Sequence, residues 1–317
     1  MKSSATDKVL KKRRLAERTP KPKGAPAAAS AAAPPPAAAP AASSSGRAWT
    51  VSLALPGSIV DNAQTQELRS HLVGQVARAA TIFNVDEIVV FSSDGASPAA
   101  PQRTDGSVFM ARLLQYLECP QYLRKAIFPM HPDLRCVGLL APLDAANHPR
   151  ATEQPHLGEG RLQGRPLGVD RRLPAGTRVT VRMPSRPGEP AAVVPPREPR
   201  EKLGLHWGFS VRLAKDLPSV WSECPFGGGY DLSLGTSDKG DSDWLQGEGF
   251  RLPAFKHLLI VFGGASSPSP SASREQALFD LYLNLCPGQG SRTIRTEEAL
   301  LVGLAALQPH TRRAGAS

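Results

Sequence analysis

The segment CPGQGSRTIRTEEALLVGLAALQP, residues 286–309, constrains this chain more than any other. Pro287, Gly288 and Gly290 fall within four residues, so the backbone must turn sharply there and can approach a ligand closely. Thr296, followed by Glu297 and Glu298, supplies a cap hydroxyl and first-turn acids. Leu300, Leu301, Leu304 and Leu307 then mark the apolar side of a helix. Upstream, ALFDLYLNL (277–285) reads as a buried strand. The unit is strand, glycine loop, helix, with Arg292 and Arg295 set in the loop. Backbone amides at such a helix start suit a polar or anionic ligand.

Two further strands end in the same way. YDLSLGT (230–236) runs into GTSDKG, and HLLIVFGG (257–264) into FGGAS. Earlier, WTVSLAL (49–55) reads as a strand by its alternation and β-branched content, and DEIVVF (86–91) as a short apolar run of the kind buried in parallel sheets. They alternate with helical patterns at 65–83 and 107–120, the second stopped by Pro120. This rhythm predicts a parallel α/β sheet. HWGFSVRL (206–213) adds a strand and DLPSVWSE (216–223) a short helix capped by Asp216. In parallel sheets ligands bind beyond the carboxyl ends of strands. Three glycine loops there predict one pocket built largely from backbone, with Leu234, Gly235, Thr236, Val261, Phe262, Gly263, Gly264, Pro287, Gly288, Gly290, Ser291 and Ile294 as its residues. Three ordinary turns would leave the same pattern. No GxGxxG follows the first strand and no GxxxxGK[ST] occurs, which disfavours NAD and ATP.

The middle, 131–205, is crowded with Pro, Gly and Arg, and only GTRVTVRM (176–183) reads clearly as a strand. No Phe, Tyr or Trp occurs between Phe128 and Trp207, so bases would find no aromatic platform within it. At the start, residues 1–24 hold nine Lys or Arg against two acids, which is +7 of the formal +10. KVLKKRR (8–14) suits a nuclear signal or a nucleic-acid patch, and equally a solvated tail. Residues 25–45 are all Ala, Pro or Ser, so 1–47 reads as disordered. No apolar run approaches 18 residues, which gives no membrane span. Cys119, Cys136, Cys224 and Cys286 are scattered, and the seven histidines show no metal-ligand spacing; each reads as a packing or surface residue.

PGQGSRTIRTEEA resembles the C-terminal knot motif of SPOUT-class (SpoU–TrmD) methyltransferases, and more closely their eukaryotic and archaeal RNA methyltransferase branch. LPGSIVDNAQTQELRSHLVGQVARAATIFNVDEIVVF (55–91), LLQYLECPQYLRKAIFP (113–129), GYDLSLGTSDKG (229–240) and HLLIVFGG (257–264) agree in order and spacing. The resemblance spans roughly 50–308 with a poorly matching middle. It implies a parallel-sheet α/β knot in two parts, 48–130 and 206–308, followed by a tail from 309. It also implies S-adenosylmethionine as cofactor, RNA as substrate and a homodimer. Members carry an OB-like β insertion at 131–205; here it reads as shortened. Asn62 and Arg69 stand where relatives carry an Asn and an Arg, the arginine holding or activating the target base. With Arg292 they are the expected catalytic residues, and a solvated helix-face cation is the competing reading of Arg69. Uridine N3 is a plausible target atom under that resemblance. A nuclear or cytoplasmic location, with spindle or kinetochore association, follows the vertebrate branch. The rival reading is a non-catalytic RNA-binding or spindle-associated scaffold that retains the fold.

Overall fold

The computed structural model describes residues 46–92, 104–149, 157–159, 161–162, 165–166, 168–174, 177–184, 186, 188–242, 244, 249–263 and 277–315. In chain order the strands are β1 (Thr50–Pro56), β2 (Glu87–Phe91), β3 (Leu157–Glu159), β4 (Arg161–Leu162), β5 (Arg165–Pro166), β6 (Thr180–Arg182), β7 (Ala192–Val194), β8 (Ser210–Ala214), β9 (Leu232–Asp241), β10 (His257–Val261) and β11 (Leu281–Leu283). The helices are α1 (Gln66–Ile82), α2 (Gly106–Glu118), α3 (Gln121–Ile127), α4 (Glu198–Leu203), α5 (Leu217–Ser222) and α6 (Thr296–Gly315). Among them no helix is long and apolar enough to cross a membrane.

Six strands form one parallel sheet in the order β11-β9-β10-β1-β2-β8, as the apolar runs predict. All residues of β1 and β2 are buried, the pattern of strands covered on both faces. On one face Leu53, Leu55, Ile88 and Val90 pack with the inner sides of α1, α2 and α6. On the other, Ala54, Val89, Leu259 and Val261 pack with Val220, Leu217 and Trp221 of α5. Side-chain caps start the helices where expected: Thr65 Oγ1 accepts from Leu68 N, and Asp216 Oδ1 from Ser219 N. Asp105 does the same for α2.

Several expected boundaries move, each for a local reason. β8 starts at Ser210 rather than 206, because Gly208 takes φ +85° and packs tightly against Glu118 and Asn147. GTSDKG is not a terminal loop. β9 continues through it to Asp241, and consecutive residues Tyr282 and Leu283 pair with Gly235 and Asp241. ALFDLYLNL keeps only Leu281–Leu283 as strand, since Asp280 instead accepts from Ser233 N and Oγ. Pro309 does not end α6, so 309–315 is helix rather than tail. Thr311 and Ala314 beyond it are buried, and Gly315 lies against Trp49. Their burial offsets the one backbone bond that proline removes.

The middle differs from the expected span of 131–205. Residues 131–148 belong to the α/β body: Leu143 joins its core, and Leu134, Val137 and Leu140 pack on it. Beyond them a three-stranded antiparallel sheet, β3-β6-β7, stands beside the β4-β5 pair. Five short strands in two pieces replace the one strand that the sequence shows. A buried polar hub fastens this insertion down. Arg178 donates to Glu118 at 2.5 and 2.8 Å and to Glu159 at 2.6 and 3.0 Å, while Asn147 Nδ2 donates to Glu118 Oε1 at 3.1 Å. Burial pushes the Glu159 carboxyl up, and Arg178 pulls it back. For Arg178 burial opposes the charge, but both glutamates outweigh it and hold the guanidinium above its ordinary range. At the other end, Arg47 grips Asp86 through two bonds of 2.7 and 2.8 Å, which fastens 46–47 of the expected tail to the body; residues 1–45 lie outside the described residues.

Two predictions follow from these buried groups. Arg178→Ala leaves Glu118 and Glu159 facing each other without their cation and should cost about 3–5 kcal/mol in urea unfolding. The second concerns His206, whose ring nitrogens are buried and have no hydrogen-bond partner among the described residues. Burial pushes this imidazole down to about 4, against the pull of Asp86. Between its ordinary value near 6.5 and 4 the unfolded chain takes the proton and the folded chain does not. The contribution is therefore full above pH ~6.5 and shrinks as pH falls toward ~4. His206→Gln should lose less of its urea midpoint between pH 7 and 4.5 than the natural chain; an equal loss would remove His206 from the acid response.

Candidate functional site

Chain order reverses between β1 and β10: β2 and β8 extend the sheet one way, β9 and β11 the other. The chain order therefore switches at the carboxyl ends of β1 and β10, the place where parallel sheets hold ligands. Pro56 ends β1, and a 3₁₀ turn, Gly57–Asn62, leads from it toward α1. Gly263 follows β10 with φ +76°, a conformation that side chains rarely adopt. A Cβ there would stand 3.1 Å from Pro56 Cγ and 3.4 Å from Thr296 Oγ1. The end of β1, the end of β10 and the start of α6 thus meet at one point.

Beside that point lies a cleft of about 770 Å³. Asn62, Gln64, Leu68, His71 and Gln75 line one wall; Ile294, Arg295, Thr296, Glu297 and Glu298 line the other. Positions 68, 71, 72 and 75 recur every three or four residues, which places them on one side of α1. The opposite wall is fixed by a reciprocal cap. Arg295 O accepts from Glu298 N and Ala299 N, while Glu298 Oε2 accepts from Arg295 N at 3.0 Å. Arg295 rather than Thr296 is therefore the capping residue. A larger cleft, about 1290 Å³, lies at the amino ends of the strands, lined by Asp86, Arg178, Trp207 and His257. Asp86 and Arg178 already neutralise partners there, and the glycine loops lie on the opposite edge.

The expected cofactor residues separate into two groups. Leu234, Val261 and Phe262 are almost wholly buried, so only their backbones could reach a ligand. Gly235 serves packing: a Cβ would lie 2.5 Å from the Phe279 ring and 2.7 Å from that of Tyr282. Thr236 Oγ1 donates to Val261 O at 3.0 Å and ties β9 to β10. Gly264 lies outside the described residues. The second group is open. Among the described residues no heavy atom lies within 4 Å of a Cβ built on Gly288 or Gly290, and Ile294 faces the cleft. Pro287 begins this loop, and Ser291 Oγ donates to Thr293 O at 2.8 Å, closing it on itself. Asn284 uses its whole amide locally, donating to Asp238 O and accepting from Cys286 N. S-adenosylmethionine fits this edge of the sheet: the open Gly288 and Gly290 leave room for close approach by a nucleoside, and the neighbouring cleft's volume is within the ~300–1,000 Å³ of cofactor sites.

The expected catalytic residues do not all converge. Asn62 lines the cleft. Arg69 does not share its edge: α1 begins only at Gln66, and Arg69 turns inward. Its side chain is 4% exposed, bonds Asp61 Oδ1 at 3.1 Å and lies 4.3 Å over the Phe109 ring. The helix-face reading of Arg69 as a solvated cation therefore fails too. Arg292 is exposed on the loop and is not part of the cleft wall, whereas Arg295 is. Sequence reading passed over Gln64, His71 and Gln75; their three-to-four spacing with Leu68 was the available signal. Among the described residues no group of His, Cys, Asp and Glu could hold a metal. The four cysteines are free, and burial pushes the Cys119 thiol up to about 11.

Comparison with known proteins gives a consistent picture. The family described as "Putative RNA methyltransferase" matches residues 50–166 and 162–307. The chain is similar to the human protein named 28S rRNA (uridine-N(3))-methyltransferase, with 47% identity over 86% of this chain and 81% of that one. The Drosophila melanogaster protein of the same name is 40% identical over 82% of this chain and 62% of its own length. Among solved structures, the SpoU methyltransferase AviRb of Streptomyces viridochromogenes, in complex with AdoMet, aligns at 11% identity over 85% of this chain and 60% of that chain, with a TM-score of 0.34.

Two substitutions test these placements. Gly290→Val adds its side chain where the protein leaves open space, so the melting temperature should hold while donor affinity, read by calorimetric titration, is lost. Unchanged affinity would remove the 288–292 loop from the site. Arg69→Ala removes a buried cation from the Phe109 ring and should cost about 2 kcal/mol of stability in chemical denaturation.

Proposed function

Because this chain belongs to the RNA methyltransferase family that matches residues 50–307, it is an S-adenosylmethionine-dependent RNA methyltransferase, and we propose that it methylates N3 of a uridine in large-subunit ribosomal RNA. The observation that carries this reading is the cleft between α1 and the start of α6. It gathers amide and cationic side chains, Asn62, Gln64, Gln75 and Arg295, around one cavity, and Ile294 and Arg295 on its wall follow directly on the open glycine loop. A uracil has two carbonyl oxygens flanking N3, and amide donors with one arginine suit that edge.

Bound there, S-adenosylmethionine would supply an electrophilic methyl group. The chain's own residues then have two tasks. They must hold the uracil edge in line with that methyl, which is the entropic part of the catalysis. They must also favour the anion that N3 becomes when its proton leaves. Arg295, on the cleft wall, is placed to stabilise charge on the neighbouring carbonyl oxygens. Arg292 remains a candidate for a flanking phosphate, because it is exposed on the same loop.

Charge supports contact with RNA beyond the cleft. Residues 150–200 contain ten arginines, no lysine and five acids. With the +7 of residues 1–24, that +5 leaves −2 for the rest of the chain. The cationic character therefore sits in the insertion and the tail, where phosphate contacts would anchor RNA without aromatic stacking. A homodimer is part of the proposal: Leu68 on α1 and Leu301 and Val302 on α6 are 40–56% exposed on two helices that pack together. The place of work is where ribosomal RNA is made or assembled, nucleus or cytoplasm. Spindle or kinetochore association rests on the resemblance alone, and imaging the tagged chain in mitosis checks it.

The deciding experiment is tritiated methyl transfer to RNA fractions from cells lacking the protein, followed by nucleoside analysis. The expected product is 3-methyluridine in large-subunit RNA. Donor binding with no transfer to any fraction would replace the enzyme by a scaffold. Arg295→Ala should cut transfer at least ~10-fold, about 1.4 kcal/mol of barrier, with donor affinity unchanged.

A further inference from the structure

We infer that His71 is the proton acceptor that generates the uridine N3 anion, an inference that rests on the uridine-N3 reading above. It starts from a chemical requirement. The N3–H of uracil is an imide proton, and N3 has no free lone pair in the ring plane until that proton leaves. Some group in the cleft must take it. The described cleft residues can be sorted by what they can do. Asn62, Gln64 and Gln75 are amides that neither gain nor lose protons at neutral pH. Arg295 is a permanent cation with no acceptor atom. Ala63, Ile59, Leu68, Leu72 and Ile294 are apolar, and Thr296 is a hydroxyl. Glu297 and Glu298 are carboxylates, too weakly basic to hold an imide proton well, and Glu298 is already engaged with Arg295 N. His71 is the one imidazole, and imidazole is the side chain whose basicity best matches proton exchange near neutrality.

Geometry agrees with the chemistry. His71 is exposed and lies one turn beyond Leu68 on the side of α1 that faces Arg295 and Glu297 across the cleft. Its own helix places Glu67 one turn before it, and that carboxylate is shared with Arg135 at 3.7 Å and Cys136 at 3.7 Å. The charged residues that line the cleft with His71 are Arg295, Glu297 and Glu298. The step balances. The N3–H bond breaks with its electron pair left on N3 and its proton on a ring nitrogen of His71. N3 then bonds to the methyl carbon of the donor sulfonium, and the methyl–sulfur bond breaks with its pair on sulfur. The imidazolium returns its proton to solvent.

The test uses the full chain with His71→Ala and His71→Gln, surface changes that should leave the melting temperature unchanged. Nucleoside analysis first confirms that the natural chain makes 3-methyluridine; a different product would overturn the uridine-N3 reading and this inference with it. Given that product, both variants should transfer methyl groups about 10²-fold more slowly at neutral pH, with donor and RNA affinities preserved. Added imidazole should restore part of the rate of His71→Ala. A readout without turnover accompanies these: the His71 ring resonances should shift when a uridine-containing oligonucleotide is added in the absence of donor. Unchanged rates in both variants would overturn the inference. So would slow transfer explained wholly by weaker RNA binding, with no rescue by imidazole, which would make His71 a contact residue.

Discussion

The close contact of Gly303 with Phe262 and Leu285 governs the rest of the site. A Cβ at 303 would stand 2.2 Å from Leu285 Cδ1 and 3.2 Å from the Phe262 ring, so any larger residue there would force the Leu285 side chain to move beneath α6. Phe262 follows β10 and Leu285 follows β11, and both are buried beneath the helix with Leu300, Leu304 and Leu307. Close packing of this kind transmits position with little slack. It fixes the start of α6 beside Gly263 and Pro56, and thereby sets Arg295 and Thr296 across from the exposed side of α1. The cleft is a consequence of how one helix seats on the ends of two strands.

Much of this framework is legible in the sequence because burial and periodicity write it there. The runs around Leu53, Ile88, Leu234 and Ile260 are dense in apolar residues, and each is a central strand of the parallel sheet. The Asp216 cap is legible for a similarly local reason. What the sequence hides is set by partners distant along the chain. Nothing near GTSDKG shows that Asp241 pairs with Leu283, so a strand excursion looks like a loop. Nothing near Pro309 shows that Trp49 waits beyond it to bury the helix end. Asn62 and Arg69 do not share an edge, because the Thr65 cap starts α1 only at Gln66 and Phe109 draws Arg69 inward. His71 is obscure in sequence because its role depends on a wall more than 200 residues later.

The insertion shows how polar groups can do what an apolar core does elsewhere. Its strands are two or three residues long, too short to bury much surface. It is held instead by Arg178 between two buried glutamates, and by Arg182 paired to Glu198 on the adjoining α4. Such pairs contribute less than their Coulomb energies suggest, but they fix orientation, because leaving any member alone is costly. A small, arginine-rich piece anchored in this way can present charge to RNA while the body, with its net −2, remains free to shape a pocket.

The central claim is that donor and uridine meet at the carboxyl ends of β1 and β10, beside the start of α6. Amide hydrogen exchange on the full chain, with and without S-adenosylhomocysteine, tests it most directly. Slower exchange at residues 261–263 and 285–296, with no change at 178–180 and 207–210, is the result predicted. Protection confined to the latter group, at the larger cleft on the opposite edge of the sheet, would contradict it.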